Sequence, residues 1–260
     1  MSIHVDVNEK SRASDGRPVI RIGVFIPSEC QLLDAAGVDI FGSLSHEYLL
    51  SLDKILPKAV IESASSIEIR YVGAAKAGEK IGMTASLAIL ATNHYDDPEV
   101  APGKLDIIYV PGPDPSIAFP EGAVDWLRRQ GNTEGVDILS VCTGIFLCGA
   151  AGLLKGKAIC GPRGMQDLIR QSGFEPKSMR GHELRWIQDG NLWSSGGVTN
   201  GNDLVAAYCR ALPQRFPPAL VELVCELLDV GDRPQAYQTG QYQRFTPNVA
   251  NQKRECFLIP

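Results

Sequence analysis

The chain has 260 residues, of which 44% are hydrophobic and 21% are charged, and its net charge is −5 at pH 7. These values are typical of a globular protein with a buried core, and they exclude a disordered chain. Because the chain is weakly acidic and has no lysine- and arginine-rich block, we do not expect it to bind nucleic acid or an anionic membrane surface.

Residues 1–17 are polar and are expected to form a flexible arm without the apolar core of a signal peptide. Runs of apolar and β-branched residues then predict strands at 19–26, 66–73 and 105–110, and a hairpin at 80–83 and 87–90. A helix is predicted from Ala35 towards Leu52. Asp34, just before it, has the position of a helix N-cap, which is its simplest interpretation. Alternatively, Asp34 has a functional role, because its carboxylate follows the carboxyl end of the first strand, the edge at which open α/β sheets bind ligands.

Cys142 follows a predicted strand at 136–141 and precedes a run of small and apolar residues that predicts a buried helix. A thiol at such a turn lies near the positive end of the helix. That position is expected to lower its pKa and to favour the reactive thiolate. The alternative is a cysteine that only packs in the core.

The rest of the chain continues the alternation of helices and strands. Asp189-Gly190 predicts a hairpin between strands at 182–186 and 191–195, and Gly196 to Gly201 form a glycine-rich turn that suits a close helix–sheet contact. Helices are predicted at 123–130, 164–171, 202–210 and 219–229. This order predicts an α/β fold with a doubly wound, mostly parallel sheet in one domain, residues 18–230. Residues 231–260 are expected to form an arm that packs on the domain or on a partner subunit.

The seven cysteines are scattered, with no Cys-x-x-Cys pair, so the pattern predicts neither a disulfide framework nor a zinc site. No apolar segment reaches the roughly 18 residues that cross a bilayer. We therefore expect a cytoplasmic protein with reduced thiols.

Five segments together resemble the ThiJ/PfpI superfamily, which is related to the type 1 glutamine amidotransferases. They are LLDAAG at 32–37, YVPG at 109–112, SVCTG at 140–144, GAAGLLKG at 149–156 and SGGVT at 195–199. Within the superfamily the chain is most similar to isonitrile (isocyanide) hydratases, and residues 229–233 are similar to fungal members. The resemblance implies a flavodoxin-like fold, a small-molecule substrate, no cofactor or metal, and a homodimer.

The resemblance also implies roles for individual residues. It makes Cys142 the nucleophile, Asp34 its acidic partner and Thr143 a residue that faces the substrate. Gly112, Pro113 and Gly144 are implied to bind the substrate or developing negative charge.

Many relatives carry a histidine soon after the LLKG segment, where this chain has Gly161-Pro162-Arg163. A Cys-His-Asp triad is therefore not expected, since the histidines all lie outside the motifs, at His4, His46, His94 and His182.

The activity expected from this set of residues is the addition of water to an isocyanide, which gives an N-substituted formamide. Cys142 would form a thioimidate, with Asp34 as general acid and base. Three alternatives stay open. They are a glyoxalase or deglycase acting on reactive aldehydes, a lineage-specific enzyme of secondary metabolism on the same fold, and a non-enzymatic stress protein in which Cys142 is oxidised.

Overall fold

The computed structural model of the protein describes residues 12–238, and a seven-stranded sheet forms the centre of that part of the chain. The strands are β1 (Val19–Phe25), β2 (Glu29–Cys30), β3 (Ser66–Gly73), β4 (Lys80–Met83), β5 (Ala88–Leu90), β6 (Asn93–His94), β7 (Ile107–Val110), β8 (Asp137–Val141), β9 (Ala158–Ile159), β10 (Ser178–Met179), β11 (Trp186–Asp189) and β12 (Leu192–Ser195). The helices are α1 (Gly37–Ser43), α2 (His46–Leu50), α3 (Lys58–Glu62), α4 (Glu121–Gly131), α5 (Gly144–Ala150), α6 (Gln166–Gln171), α7 (Asn200–Ala211) and α8 (Pro218–Leu228).

The order of the strands in the central sheet is β11-β12-β8-β7-β1-β3-β6, and every neighbouring pair except β11 and β12 is parallel. The chain moves outward from β1 to β3 and then returns to β7 on the other side. The carboxyl ends of β1 and β7 therefore lie at the point where the strand order reverses, which is where open α/β sheets bind ligands.

Helices cover both faces of the sheet because alternate side chains of each strand point to opposite sides. In β7, Ile107 and Tyr109 belong to the core that also contains residues of α1, α7 and α8, whereas Ile108 and Val110 pack with residues of α4 and α5. The central strands β7, β8 and β12 are buried on both faces, as near-continuous apolar sequences predict. The predicted α/β class with a mostly parallel sheet is confirmed.

The helix predicted from Ala35 to Leu52 is wrong, because the structure has two short helices, α1 and α2, in its place. The break falls at Leu44 and Ser45, where the Ser45 hydroxyl accepts a hydrogen bond from the Tyr48 amide at 3.1 Å and caps α2. A serine cap competes with helix continuation.

The hairpin predicted around Asp189-Gly190 is present as β11 and β12, but the first strand begins at Trp186 rather than at His182. The hairpin at 80–90 is also present as the antiparallel pair β4 and β5.

Both ends of the described chain contact the domain. Arg17 donates to the carbonyl oxygens of Glu62 and Ala64 at 3.1 and 2.9 Å. Near the other end, Leu184 and Ala236 form an antiparallel bridge. The greater part of the predicted N-terminal arm, 1–11, and of the C-terminal arm, 239–260, lies outside the described residues. Across residues 12–238, no helix is both long and apolar enough to span a membrane.

Candidate active site

Cys142 occupies the turn between β8 and α5, as the sequence predicts. Its φ is +57°, a left-handed conformation that is uncommon for a residue other than glycine. Gly144, at the start of α5, packs so closely on β7 that a Cβ there would collide with the Val110 carbonyl oxygen. The short step from strand to helix thus depends on Gly144. It leaves the thiol 7% exposed, while the other described cysteines are 0–4% exposed.

Asp34 lies in a 3-10 turn after β1 and is completely buried. The prediction that it caps a helix is wrong, since the N-cap of α1 is Ala36 and no side chain caps that helix. One carboxylate oxygen, Oδ2, instead accepts the Gly112 amide at 3.2 Å, and the Tyr109 hydroxyl donates to the Asp34 carbonyl at 2.6 Å. The turn after β7 therefore positions the acid.

The other carboxylate oxygen of Asp34, Oδ1, is buried and has no hydrogen bond of ordinary geometry within residues 12–238. The Cys142 thiol interacts with this carboxyl group. A buried acceptor without a partner is costly, so a polar atom of a substrate or a water molecule has a place here. Asp34 and Cys142, 108 positions apart in sequence, are thereby brought together at one sheet edge.

The remaining predicted site residues surround this pair. The Thr143 amide faces the Cys142 sulfur, and its hydroxyl donates to the Pro113 carbonyl at 2.7 Å. Gly112 has no room for a side chain, because a Cβ there would collide with Asp34 and Thr143. Its amide donates to Asp34, and its predicted role in holding developing charge on a substrate stays a prediction.

Val198 is a site residue that the sequence analysis missed. Its φ is +49°, which is strained for a β-branched residue. Its amide interacts both with the Cys142 sulfur and with the Asp34 carboxyl group. The signal for it is the SGGVT segment at 195–199, which carries part of the family resemblance but predicts no role for Val198.

The expected lowering of the Cys142 pKa is wrong. Burial, followed by the negative charge of Asp34, raises the pKa of the thiol to about 12, and the amides of Val198 and Thr143 only partly oppose this. Burial likewise raises the pKa of Asp34 to about 7, against the opposing effects of Cys142 and of the amides of Gly112 and Val198. The thiol therefore keeps its proton at neutral pH, and Asp34 is the group of the pair that titrates near pH 7.

The raised pKa of Asp34 predicts that this residue destabilises the fold at neutral pH. The folded state binds the proton more tightly than the unfolded state, so stability from this group is present below pH 3.8 and is lost as the pH rises through about 7. We expect Asp34→Asn to raise the free energy of unfolding at pH 8 by about 2–4 kcal/mol. Urea unfolding at several pH values measures this, and most of the gain should disappear at pH 4.

The control is Asp114→Asn, an exposed aspartate whose pKa is lowered by the Ser116 amide and hydroxyl. This substitution should not stabilise the protein at pH 8. If Asp34→Asn lowered the free energy of unfolding at pH 8, the claim that ionised Asp34 is buried at a cost in stability would be wrong.

Neither Cys160 nor a histidine joins the site. Cys160, in the segment where relatives carry a histidine, is 1% exposed and burial raises its pKa to about 12. No histidine is among the groups that interact with Cys142 and Asp34 in the described structure. Residues 12–238 contain no group of three His, Cys, Asp or Glu residues arranged to hold a metal ion.

Comparisons with known proteins agree with this fold. The sequence profile of the DJ-1/PfpI family matches residues 44–211. An isonitrile hydratase from Pseudomonas putida is 29% identical over 187 residues, which cover 71% of this chain and 77% of the hydratase.

Two solved structures illustrate the likeness in three dimensions. A ThiJ/PfpI family protein from Pseudomonas syringae has a TM-score of 0.64 and 20% identity, over 98% of this chain and 94% of its own. DJ-1beta from Drosophila melanogaster has a TM-score of 0.60 and 16% identity, over 82% of this chain and 98% of its own. At these identities the structures support the fold alone.

Proposed function

The chain belongs to the DJ-1/PfpI family, and on that premise we propose that it is a cysteine-dependent isocyanide hydratase, a lyase that works without a cofactor. The observation that carries the proposal is the buried Asp34 carboxyl group beside the Cys142 thiol, with no imidazole among the groups that interact with it in the described structure. Similarity to an isonitrile hydratase gives the proposal its substrate class.

The first step uses the one proton that Asp34 and Cys142 share. Asp34 takes the thiol proton, and the thiolate attacks the terminal carbon of R–N≡C. As the carbon–sulfur bond forms, Asp34 returns the proton to that same carbon, which gives the thioimidate Cys142–S–CH=N–R. The amides of Thr143 and Val198, which face the sulfur, stabilise negative charge on it before attack.

The second step adds water to the thioimidate. The water oxygen attacks the thioimidate carbon while Asp34 removes one proton from the water. Asp34 then passes this proton to the thioimidate nitrogen. The adduct Cys142–S–CH(OH)–NH–R then collapses. Its carbon–sulfur bond breaks, and the hydroxyl proton returns through Asp34 to the sulfur. The products are the free thiol and R–NH–CHO, so one water has been added to one isocyanide.

The geometry of the site disfavours one of the alternatives, the redox sensor, and is compatible with another, the glyoxalase or deglycase. A redox sensor needs an exposed thiolate, whereas burial raises the pKa of Cys142 and leaves the side chain 7% exposed. A glyoxalase or deglycase uses the same nucleophile on an aldehyde, so only the substrate distinguishes it. The homodimer and the cytoplasmic location stay predictions.

The proposal is tested by supplying substrates directly. We expect the purified protein to convert an alkyl isocyanide to the N-alkyl formamide, measured by proton NMR from the formyl resonance, without added metal or cofactor. Methylglyoxal, supplied separately, should yield no lactate. Lactate without formamide would replace the hydratase with the glyoxalase alternative.

A further inference from the structure

Two arginines and a tyrosine form a cluster beside the turn that carries Val198. The Arg163 guanidinium lies 4.0 Å and the Arg185 guanidinium 4.5 Å from the centre of the Tyr237 ring. The Tyr237 hydroxyl accepts a hydrogen bond from the Asn200 side chain at 2.8 Å, at the start of α7. We call Arg163, Arg185 and Tyr237 the arginine cluster. Neither the proposed mechanism nor the family resemblance uses it.

The segment after α8 brings Tyr237 to this position. The Arg185 amide donates to the Gln235 carbonyl at 2.7 Å, and the Tyr237 amide donates to the Glu183 carbonyl at 2.9 Å. In the same segment, the Arg233 guanidinium donates a hydrogen bond to the Thr199 carbonyl oxygen at 2.7 Å. Backbone hydrogen bonds on both sides of the segment therefore hold Tyr237 next to Arg185.

Arg185 carries a buried positive charge that the described structure leaves incompletely satisfied. It is 7% exposed, and its Nε has no hydrogen-bond partner within residues 12–238. Asp203, a carboxylate on which Arg185 acts, is already ion-paired with Arg233 at 2.5 Å. Because a buried N–H of a charged group without an acceptor is costly, an anion that reaches the Arg185 Nε would be bound favourably.

The cluster lies within reach of the reactive thiol. A Cβ built on Gly196 would be 2.9 Å from the Tyr237 hydroxyl oxygen, and Val198, two residues on, directs its amide at the Cys142 sulfur. Since two residues span at most about 7 Å, the Tyr237 hydroxyl lies within about 15 Å of the sulfur. A Cβ built on Gly197, between them, would meet nothing within 4 Å, so there is open space beside the turn.

We propose that the arginine cluster is a carboxylate-binding part of the active site, and that the substrate is an isocyanide whose other end bears a carboxylate. This inference rests on the proposed hydratase function. Arg185 provides the charge-assisted hydrogen bonds, and the planar guanidinium suits both oxygens of a carboxylate. Tyr237 keeps the two arginines apart and in place by cation–π contact.

Two measurements on the wild-type protein test the proposal. Isothermal titration should show that hexanoate, which cannot react, binds at least 10-fold more tightly than hexanamide. With substrates, kcat/KM for 6-isocyanohexanoate should exceed that for pentyl isocyanide by at least 10-fold. Arg185→Gln should lower both ratios by 10-fold or more, and Arg185→Lys, which keeps the charge, should lower them less.

The matched control is Arg170→Gln, which removes an exposed arginine paired with Asp167 and should leave both ratios unchanged. Equal binding of hexanoate and hexanamide would overturn the proposal without any variant. If no isocyanide of either kind is converted, the hydratase function fails, while the binding measurement still decides whether the cluster holds a carboxylate.

Discussion

Cys142→Ala is expected to abolish formamide formation, lowering kcat/KM by about 10⁴-fold or more, because no other cysteine within residues 12–238 lies beside Asp34 with an exposed thiol. The remaining described cysteines are at most 4% exposed, and burial raises their pKa values. Steady-state kinetics on an alkyl isocyanide, with a thermal melt of the same sample, measure the effect. The fold should be retained, because alanine removes only the sulfur.

Two further variants separate the loss of the thiol from a disturbed turn. Cys142→Gly should be as inactive as Cys142→Ala. Its free energy of unfolding should exceed that of Cys142→Ala by about 1 kcal/mol, because glycine adopts a φ of +57° without strain. Cys160→Ala should keep turnover within a few-fold of wild type. A Cys142→Ala protein that still makes formamide would exclude a thioimidate.

The sequence predicted that the candidate site residues lie together, because they follow buried strands. Asp34 comes after β1, Gly112 after β7 and Cys142 after β8. Parallel strands present their carboxyl ends at one edge, so three such residues meet once the strand order is known. Local apolar patterns were sufficient to predict those strands.

Other features depend on contacts between distant segments, which no local pattern contains. Asp34 has the sequence position of a helix cap, but the Gly112 amide, 78 residues away, binds its carboxylate. The sign of the Cys142 pKa shift was wrong for the same reason. Proximity to a helix end can be predicted locally, whereas burial and the nearby charge of Asp34 arise only in the folded chain and outweigh it.

The arginine cluster was equally beyond prediction. Arg163, Arg185 and Tyr237 belong to three separate segments without any shared motif. Only the segment after α8, which the sequence left without periodicity, brings the tyrosine between the two cations.

Asp34→Asn is expected to lower kcat/KM by roughly 100-fold or more while leaving the fold intact, because asparagine can accept the Gly112 amide but cannot transfer protons. Asp34→Glu should fall between this variant and wild type, since it keeps the acid but displaces it by one methylene. Steady-state kinetics of the three proteins on the same isocyanide, with melts in parallel, measure this.

The pH dependence of the same proteins identifies the proton carrier. In the reactive form of the wild-type protein, Asp34 and Cys142 hold one proton between them. Below a pH of about 7 a second proton binds to Asp34, which then cannot accept the proton of the thiol. Wild-type kcat/KM should therefore rise with pH through about 7 and then level off. In Asp34→Asn this rise should vanish, leaving weak activity that increases only at alkaline pH, where the thiol ionises. If kcat/KM of Asp34→Asn still rose with pH through about 7, another group would be the proton carrier and Asp34 would have no part in the mechanism.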